Sequence, residues 1–380
     1  MKLIHTLSAS DVFGPEKTVV NECVALRAAG WDCQIVNFWD TDAIPLVAKV
    51  RAAGIPFHTI ASRRKFDIGA IRGFAQLLRA HGRPLVHSHG YKADLYSLLG
   101  ARLARAPVMT TVHGWTSENA KVRLYEKLQA FLWRYFDRVV CVSESYRALA
   151  ARAGTPAAKL LVVHNGIRET YQTDSDVAAR DRARAKLGLA PGELAVACIG
   201  RLGIEKGHRQ LLEAAAHALP TCPRARFLII GEGAERAAIE TGIHDLGLSG
   251  TVRLLGHRDD LPAIYPALDV LAITSLREGL PNVLLEAMLH GMAVIATAVG
   301  GIPEVVRDGY DGVLIPPGDG VAYARAMAAL LADAPRRRRL GEQARATVRA
   351  GFLFERRMER MTALYVSLAA PAAPQARSGS

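Results

Sequence analysis

The chain has 380 residues, half of them hydrophobic, with 48 Lys and Arg against 36 Asp and Glu and a formal net charge of +12. One hydrophobic core stops growing at roughly 250–300 residues, so this length predicts two domains. The apolar content excludes a disordered chain, a collagen and a small disulfide scaffold.

Five cysteines (Cys23, Cys33, Cys141, Cys198 and Cys222) make an odd set with no CxxC spacing, so neither structural zinc nor a disulfide framework is expected. Such usage predicts a reducing compartment, the cytoplasm. The opening Met1-Lys2-Leu3-Ile4-His5 reads as a strand rather than a signal peptide. The least charged run, Ala287 to Pro303, is broken by His290, Gly291, Gly300 and Gly301, so no segment is expected to span a bilayer. Residues 1–170 carry +10 of the charge and residues 171–380 only +2. That asymmetry points to a polyanionic partner, an anionic membrane surface or a solvated basic face.

Short apolar strands alternate with longer helical patterns. The expected strands are Lys2–Leu7, Asp32–Phe38, Leu85–His89, Pro107–Val112, Arg138–Val142 and Leu160–His164. Helices are expected at Pro15–Ala29, Ile68–Ala80, Lys92–Leu103 and Asn119–Phe136. The alternation predicts a parallel sheet covered on both faces. The polar, basic stretch from Arg168 to Gly192, with a helix around Val177–Leu187, marks the domain boundary. A second series follows at Ala195–Ile199, Arg226–Ile230, Thr251–Leu255, Val270–Ile273, Ala293–Ala296 and Gly312–Ile315. Phe352–Leu368 is the last helix, and 369–380 is an Ala/Pro/Ser/Gly-rich tail expected to be disordered. The fold class is therefore α/β, two Rossmann-like doubly wound parallel-sheet domains. Such sheets bind ligands beyond the carboxyl ends of their strands, and a cleft between facing domains is the default site.

Beyond Ala195–Ile199 stands Gly200-Arg201-Leu202-Gly203-Ile204-Glu205-Lys206-Gly207. Arg201 and Lys206 are two fixed positive charges on one strand-to-helix connection, as a diphosphate requires. Beyond Val270–Ile273 stands Ser275-Leu276-Arg277-Glu278-Gly279-Leu280-Pro281-Asn282-Val283-Leu284-Leu285-Glu286. Glu278 lies in the loop, and Glu286 lies on the next helix amid apolar residues, where a carboxylate needs a partner. Carboxylates bind vicinal hydroxyls, and the N–H groups of Asn282 and Val283 face outward at a helix start. Gly300-Gly301-Ile302-Pro303-Glu304 allows a close backbone turn.

In the first half, Gly14 precedes a helix opened by Pro15, a second phosphate seat, although the loop is not GxGxxG. His113 follows a strand end, where a catalytic or sugar-binding group belongs. His87 and His89 end a neighbouring strand, but no His/Cys/Asp cluster has metal-ligand spacing. There is no GxSxG elbow and no P-loop.

Arg201 with Lys206, Glu278 with Glu286, and Gly300-Gly301-Ile302-Pro303-Glu304 resemble, in that order, the family 4 retaining glycosyltransferases of the GT-B fold. The likeness runs from Lys2 to about Leu368. It implies an N-terminal acceptor-binding domain at 1–170, a nucleotide-sugar-binding domain at 171–351, and a helix at 352–368 that crosses back. It implies catalytic roles for His113, Arg201, Lys206 and Glu278, with Gly14, Gly200, Asn282, Val283 and Glu286 at the donor. Arg201 and Lys206 hold the departing diphosphate, Glu278 the sugar hydroxyls, and Glu286 the ribose. No metal or other cofactor is implied; the nucleotide sugar is a substrate. One departure is Gly14-Pro15 where the family has Gly-Gly, which removes an N–H donor.

The expected acceptor is a lipid-linked or cell-envelope glycan. Arg63-Arg64-Lys65 and the helix Asn119–Phe136 are basic, and the latter carries Leu124, Leu128, Phe131 and Trp133 among its cations. Such a helix is either half core and half solvated, or lies on an anionic membrane, peripheral on its inner face. Alternative readings are a sugar-nucleotide epimerase, a sugar phosphorylase, a nucleic-acid-binding protein and a glycosyltransferase that has lost activity. Nucleic acid is not an expected partner, because no binding module or basic–aromatic face appears.

Overall fold

Continuous apolar runs such as Leu194-Ala-Val-Ala-Cys-Ile199 are buried along nearly their whole length, as strands covered on both faces must be. A computed structural model describes residues 1–12, 14–63, 66–115, 120–171 and 177–369. Expectations for Arg64, Lys65, Asn119 and the tail 370–380 lie outside the described residues.

The first sheet is built of β1 (Lys2–Leu7), β2 (Asp32–Trp39), β3 (Phe57–Ala61), β4 (Leu85–His89), β5 (Val108–Val112), β6 (Arg138–Cys141) and β7 (Leu160–Val162). The second is built of β8 (Leu194–Ile199), β9 (Ala225–Ile230), β10 (Val252–Gly256), β11 (Val270–Ile273), β12 (Ala293–Thr297) and β13 (Val313–Ile315). Their orders are β3-β2-β1-β4-β5-β6-β7 and β10-β9-β8-β11-β12-β13, every pairing parallel. Both are doubly wound. The strand order reverses between β1 and β4 in the first and between β8 and β11 in the second, and such reversals open a crevice for ligands.

Two compact units result. One comprises Met1–His113, Arg123–Val163 and the chain from Arg357 onward; the other comprises Gly114–Val122 and His164–Arg356. The division runs between Val163 and His164, one residue beyond β7, while the polar stretch from Arg168 begins a few residues later. The last helix, Phe354–Ala369, contributes Met361, Leu364 and Tyr365 to the core of the first unit, beside Leu3, Val19, Ile35 and Leu85. The second core gathers Val196, Phe227, Ile295, Tyr323 and Leu340.

Three elements escaped the sequence reading: the helix Pro45–Ala52, the strand β3 and the helix Glu144–Arg152. β3 is an edge strand, and none of its residues is fully buried, so its pattern is weak. The helix Glu144–Arg152 starts at a cap instead of an apolar repeat: Ser143 Oγ accepts from the Tyr146 N–H.

Candidate active site

The strand reversal at β8 and β11 places two loops side by side. After β8 the chain passes through Gly200 and Arg201 into one 3-10 turn, Ile204–Lys206, then the helix His208–Ala218. Gly207 joins them with φ +63°, and a Cβ there would stand 2.3 Å from the Thr274 carbonyl oxygen. Glycine therefore lets the turn press against the end of β11. Thr274 Oγ1 donates to the Lys206 carbonyl (2.9 Å) and completes the join.

Lys206 Nζ reaches Glu278 Oε1 at 2.6 Å, and Ser275 Oγ donates to the same oxygen at 2.7 Å. The Lys206 and Glu278 side chains are 21% and 10% exposed. Gly200, Lys206, Ser275, Glu278 and Val283 line one pocket. Arg201 Nη2 lies 2.6 Å from Glu205 Oε1, with Arg201 45% and Glu205 6% exposed. Both cations are clamped by a carboxylate, and Lys206, set in the partly dry pocket, requires such a counter-charge. The clamps also fix where the guanidinium and ammonium point. His208 and Cys198 line the same pocket. Burial, then the Lys206 charge, lowers His208 to about 4, and burial raises Cys198 to about 12, so both stay neutral near pH 7.

The helix Asn282–Leu289 begins with Asn282 and Val283, whose N–H groups precede any intrahelical acceptor. Pro281 is the residue before its first turn. Glu286, one turn further in, is 2% exposed, and Tyr265 Oη donates to its Oε2 at 2.6 Å. Tyr265 in turn stacks on His290 at 4.8 Å. Gly300 packs the neighbouring loop against this segment: its φ is +58°, and a Cβ would meet the Glu278 carbonyl oxygen at 1.9 Å. Glu304, on the short helix Ile302–Val305 that follows, accepts from His164 Nε2 at 2.8 Å.

In the first unit, Gly14 is itself the first residue of the helix Gly14–Ala28, with Pro15 second. A Cβ on Gly14 would meet nothing within 4 Å. His113 stands one residue past β5, partly exposed, with Nε2 at 3.0 Å from His89 Nδ1. His89 Nε2 lies 3.0 Å from His5 Nδ1, and His5 pairs across the sheet with His87. His5, His87 and His89 are all buried, and their ligand nitrogens lie within 4.8 Å of one another. Spacing along the chain could not disclose this trio, because β1 and β4 become neighbours only in the sheet. Tyr365 and Thr111 occupy the two nitrogens of His87, so five of the trio's six ring nitrogens are hydrogen-bonded within the protein and a metal would have to displace them. Burial lowers His5 to about 4 and His113 to about 3, and holds His87 and His89 well below the usual imidazole range.

The basic helix Ala120–Leu132 turns Glu126, Gln129 and Ala130 inward, and Trp133 follows them into the core. Leu124, Leu128, Phe131 and Tyr135 are exposed at helical spacing. Of the apolar residues named for this helix, Trp133 alone is buried in the core, while Leu124, Leu128 and Phe131 face outward. The inward side is polar because Gln129 Nε2 donates to the buried Asp94 (2.7 Å). No helix among the described residues is long and apolar enough to cross a membrane.

Glu205, Ser275, Thr274 and Tyr265 were not singled out by the sequence reading. Ser275, three residues before Glu278, had a local signal, whereas Tyr265 meets Glu286 only through the fold.

The family profile "Glycosyl transferases group 1" matches residues 179–347, and "Glycosyltransferase Family 4" matches residues 13–171. The chain is 30% identical over 327 residues to a D-inositol 3-phosphate glycosyltransferase of Salinispora tropica, covering 79% of this chain and 67% of that protein. It is 26% identical over 311 residues to the UDP-Gal:alpha-D-GlcNAc-diphosphoundecaprenol alpha-1,3-galactosyltransferase of Escherichia coli, covering 80% of each. The crystal structure of Anabaena Alr3699/HepE with UDP and glucose superposes with a TM-score of 0.85 at 23% identity, over 97% of this chain and 100% of that one. Two doubly wound parallel sheets, the loops at the β8/β11 reversal and these matches across both halves lead to one conclusion: the chain belongs to the family 4 (group 1) glycosyltransferases of the GT-B fold and is a sugar-transferring enzyme.

Proposed function

We propose that the protein transfers a sugar, with retention of anomeric configuration, from a UDP- or GDP-linked donor to a hydroxyl of a lipid-linked or cell-envelope glycan. The observation that carries this reading is the clamped Lys206–Glu278 pair in the pocket at the β8/β11 reversal. In this reading Lys206 and Arg201 take the diphosphate, and Glu278 takes sugar hydroxyls. Asn282, Val283 and Gly200 offer backbone groups to the donor, Glu286 holds the ribose, Gly14 is a donor-binding residue, and His113 is a catalytic residue. The donor's anomeric carbon–oxygen bond breaks, the acceptor oxygen bonds on the same face, and its proton passes to the departing diphosphate. The chain's share is placement and charge stabilisation. The two cations do the work a divalent metal would do, so transfer continues in excess chelator; complete loss there refutes this part.

Support for the donor class comes from the names of the relatives: one is a UDP-Gal transferase, and the structural neighbour was crystallised with UDP. The diphosphoundecaprenol in the former's name supports a lipid-linked acceptor. The exposed stripe Leu124, Leu128, Phe131 and Tyr135, beside exposed Lys121, Arg123 and Lys127, supports a peripheral seat on anionic lipid inside the cell. A panel of UDP-, GDP- and ADP-sugars, scored by thermal shift and then by transfer to polyprenyl-diphosphate sugars, tests the reading. If no nucleotide sugar raises the midpoint, it fails. Vesicles with and without anionic lipid test the surface, and binding to neither, or equal binding to both, refutes it.

A further inference from the structure

Two hydrogen-bond chains meet at the β1/β4 reversal, and their proton order can be worked out. The first is anchored by charge. Arg357 pairs with Glu22 at 2.7 Å, the two side chains being 1% and 0% exposed. Tyr365 Oη donates to Glu22 Oε2 (3.2 Å), so it must accept from the nitrogen it faces, His87 Nδ1 (2.9 Å). A neutral imidazole has one N–H. His87 Nε2 is therefore bare and accepts from Thr111 Oγ1 (2.7 Å).

The second chain is His5 Nδ1···His89 Nε2···, continuing from His89 Nδ1 to His113 Nε2, each link 3.0 Å. Neutral rings allow two orders. If protons point from His113 inward, His5 Nε2 becomes a buried N–H. That atom has no hydrogen-bond partner among the described residues. If protons point outward, it is a bare lone pair. A buried orphan donor is the rarer and costlier state. The outward order therefore wins: His5 Nδ1–H donates to His89, His89 Nδ1–H donates to His113, and His113 keeps its proton on Nδ1. Burial, which holds all three rings neutral, preserves this order at working pH.

We infer that His5 and His89 are positioning residues that hold His113 as an Nδ1–H donor to a hydroxyl or phosphate oxygen of its ligand. Its use in catalysis rests on the glycosyltransferase reading; the proton order does not. Histidine free in water prefers the Nε2–H form, so the relay imposes the less common tautomer. An ordinary stacking role for the trio would impose neither.

Long-range ¹H–¹⁵N correlation of imidazole-labelled protein, with His113 assigned by loss of its signals in His113→Gln, reads the tautomer without any substrate. The wild type is expected to show protonated Nδ1 and bare Nε2 at His113. His5→Asp sets an acceptor where the first donor was; His89 then donates from Nε2, His113 inverts to Nε2–H, and kcat/KM falls by about tenfold, the size of one neutral hydrogen bond. His5→Asn, whose amide nitrogen falls near the position of Nδ1, keeps the Nδ1–H signature and most of kcat/KM. Protonated Nε2 at His113 in the wild type overturns the inference. So does a His5→Asp protein with unchanged tautomer and rate. If His5→Asp does not fold, the wild-type and His5→Asn spectra decide. A wild-type Nδ1–H signature with no turnover of any nucleotide sugar instead sinks the proposed function and leaves the proton order standing.

Discussion

Replacing Lys206 by Met removes one charge and keeps the stem that packs in the pocket. The loss separates into two parts. Glu278, 10% exposed, forfeits its 2.6 Å ionic hydrogen bond and retains the Ser275 hydroxyl. A charged hydrogen bond contributes about 1.5–3 kcal/mol, and one remaining donor keeps the loss near 2 kcal/mol. For a domain of this size that is a fall of roughly 4–8 °C in midpoint. The kinetic part is separate. One preorganised donor to the departing diphosphate is worth about 10²–10³ in kcat. Initial rates at saturating nucleotide sugar, measured well below the lowered midpoint, isolate it. A kcat close to that of the wild type, with the donor bound, would refute the assignment of Lys206 to the leaving group. A rate loss that vanishes once the unfolded fraction is subtracted would do the same.

Arg201→Ala should cost under about 1 kcal/mol in stability, because the guanidinium is half exposed, yet reduce kcat by roughly a hundredfold; equal loss in both measurements speaks against a role at the diphosphate. Arg357→Met strands Glu22 in the core of the first unit, and urea unfolding should register about 3–5 kcal/mol, whereas an unchanged midpoint removes the anchor of the His87 chain. Gly300→Ala forces a Cβ onto the Glu278 carbonyl at a positive φ, and should cost several kcal/mol, measurable as lost urea resistance together with lost donor binding. Stability should also fall with acid. His5 and His208 titrate near 4 when folded and near 6.5 when unfolded, so between those values the unfolded chain binds more protons. Each contributes a slope of about 1.4 kcal/mol per pH unit in that window and nothing above it. A flat urea midpoint from pH 6.5 to 5 contradicts their burial.

The sequence alone determined most of the scaffold. Runs such as Val270–Ile273 and Ala293–Ala296 are apolar at every position, and a strand covered on both faces has to be. The loops after them therefore announced the site, and Gly200, Lys206, Glu278 and Val283 indeed line one pocket. What the chain order could not supply is lateral. β1 lies against β4 and β8 against β11 only because each sheet reverses there. That neighbourhood gives Lys206 its carboxylate across a 72-residue gap and, with β5 beside β4, assembles His5, His89 and His113 into one relay. Periodicity reports which face a residue turns inward. The partner it meets there depends on strand order and register, which long-range packing decides.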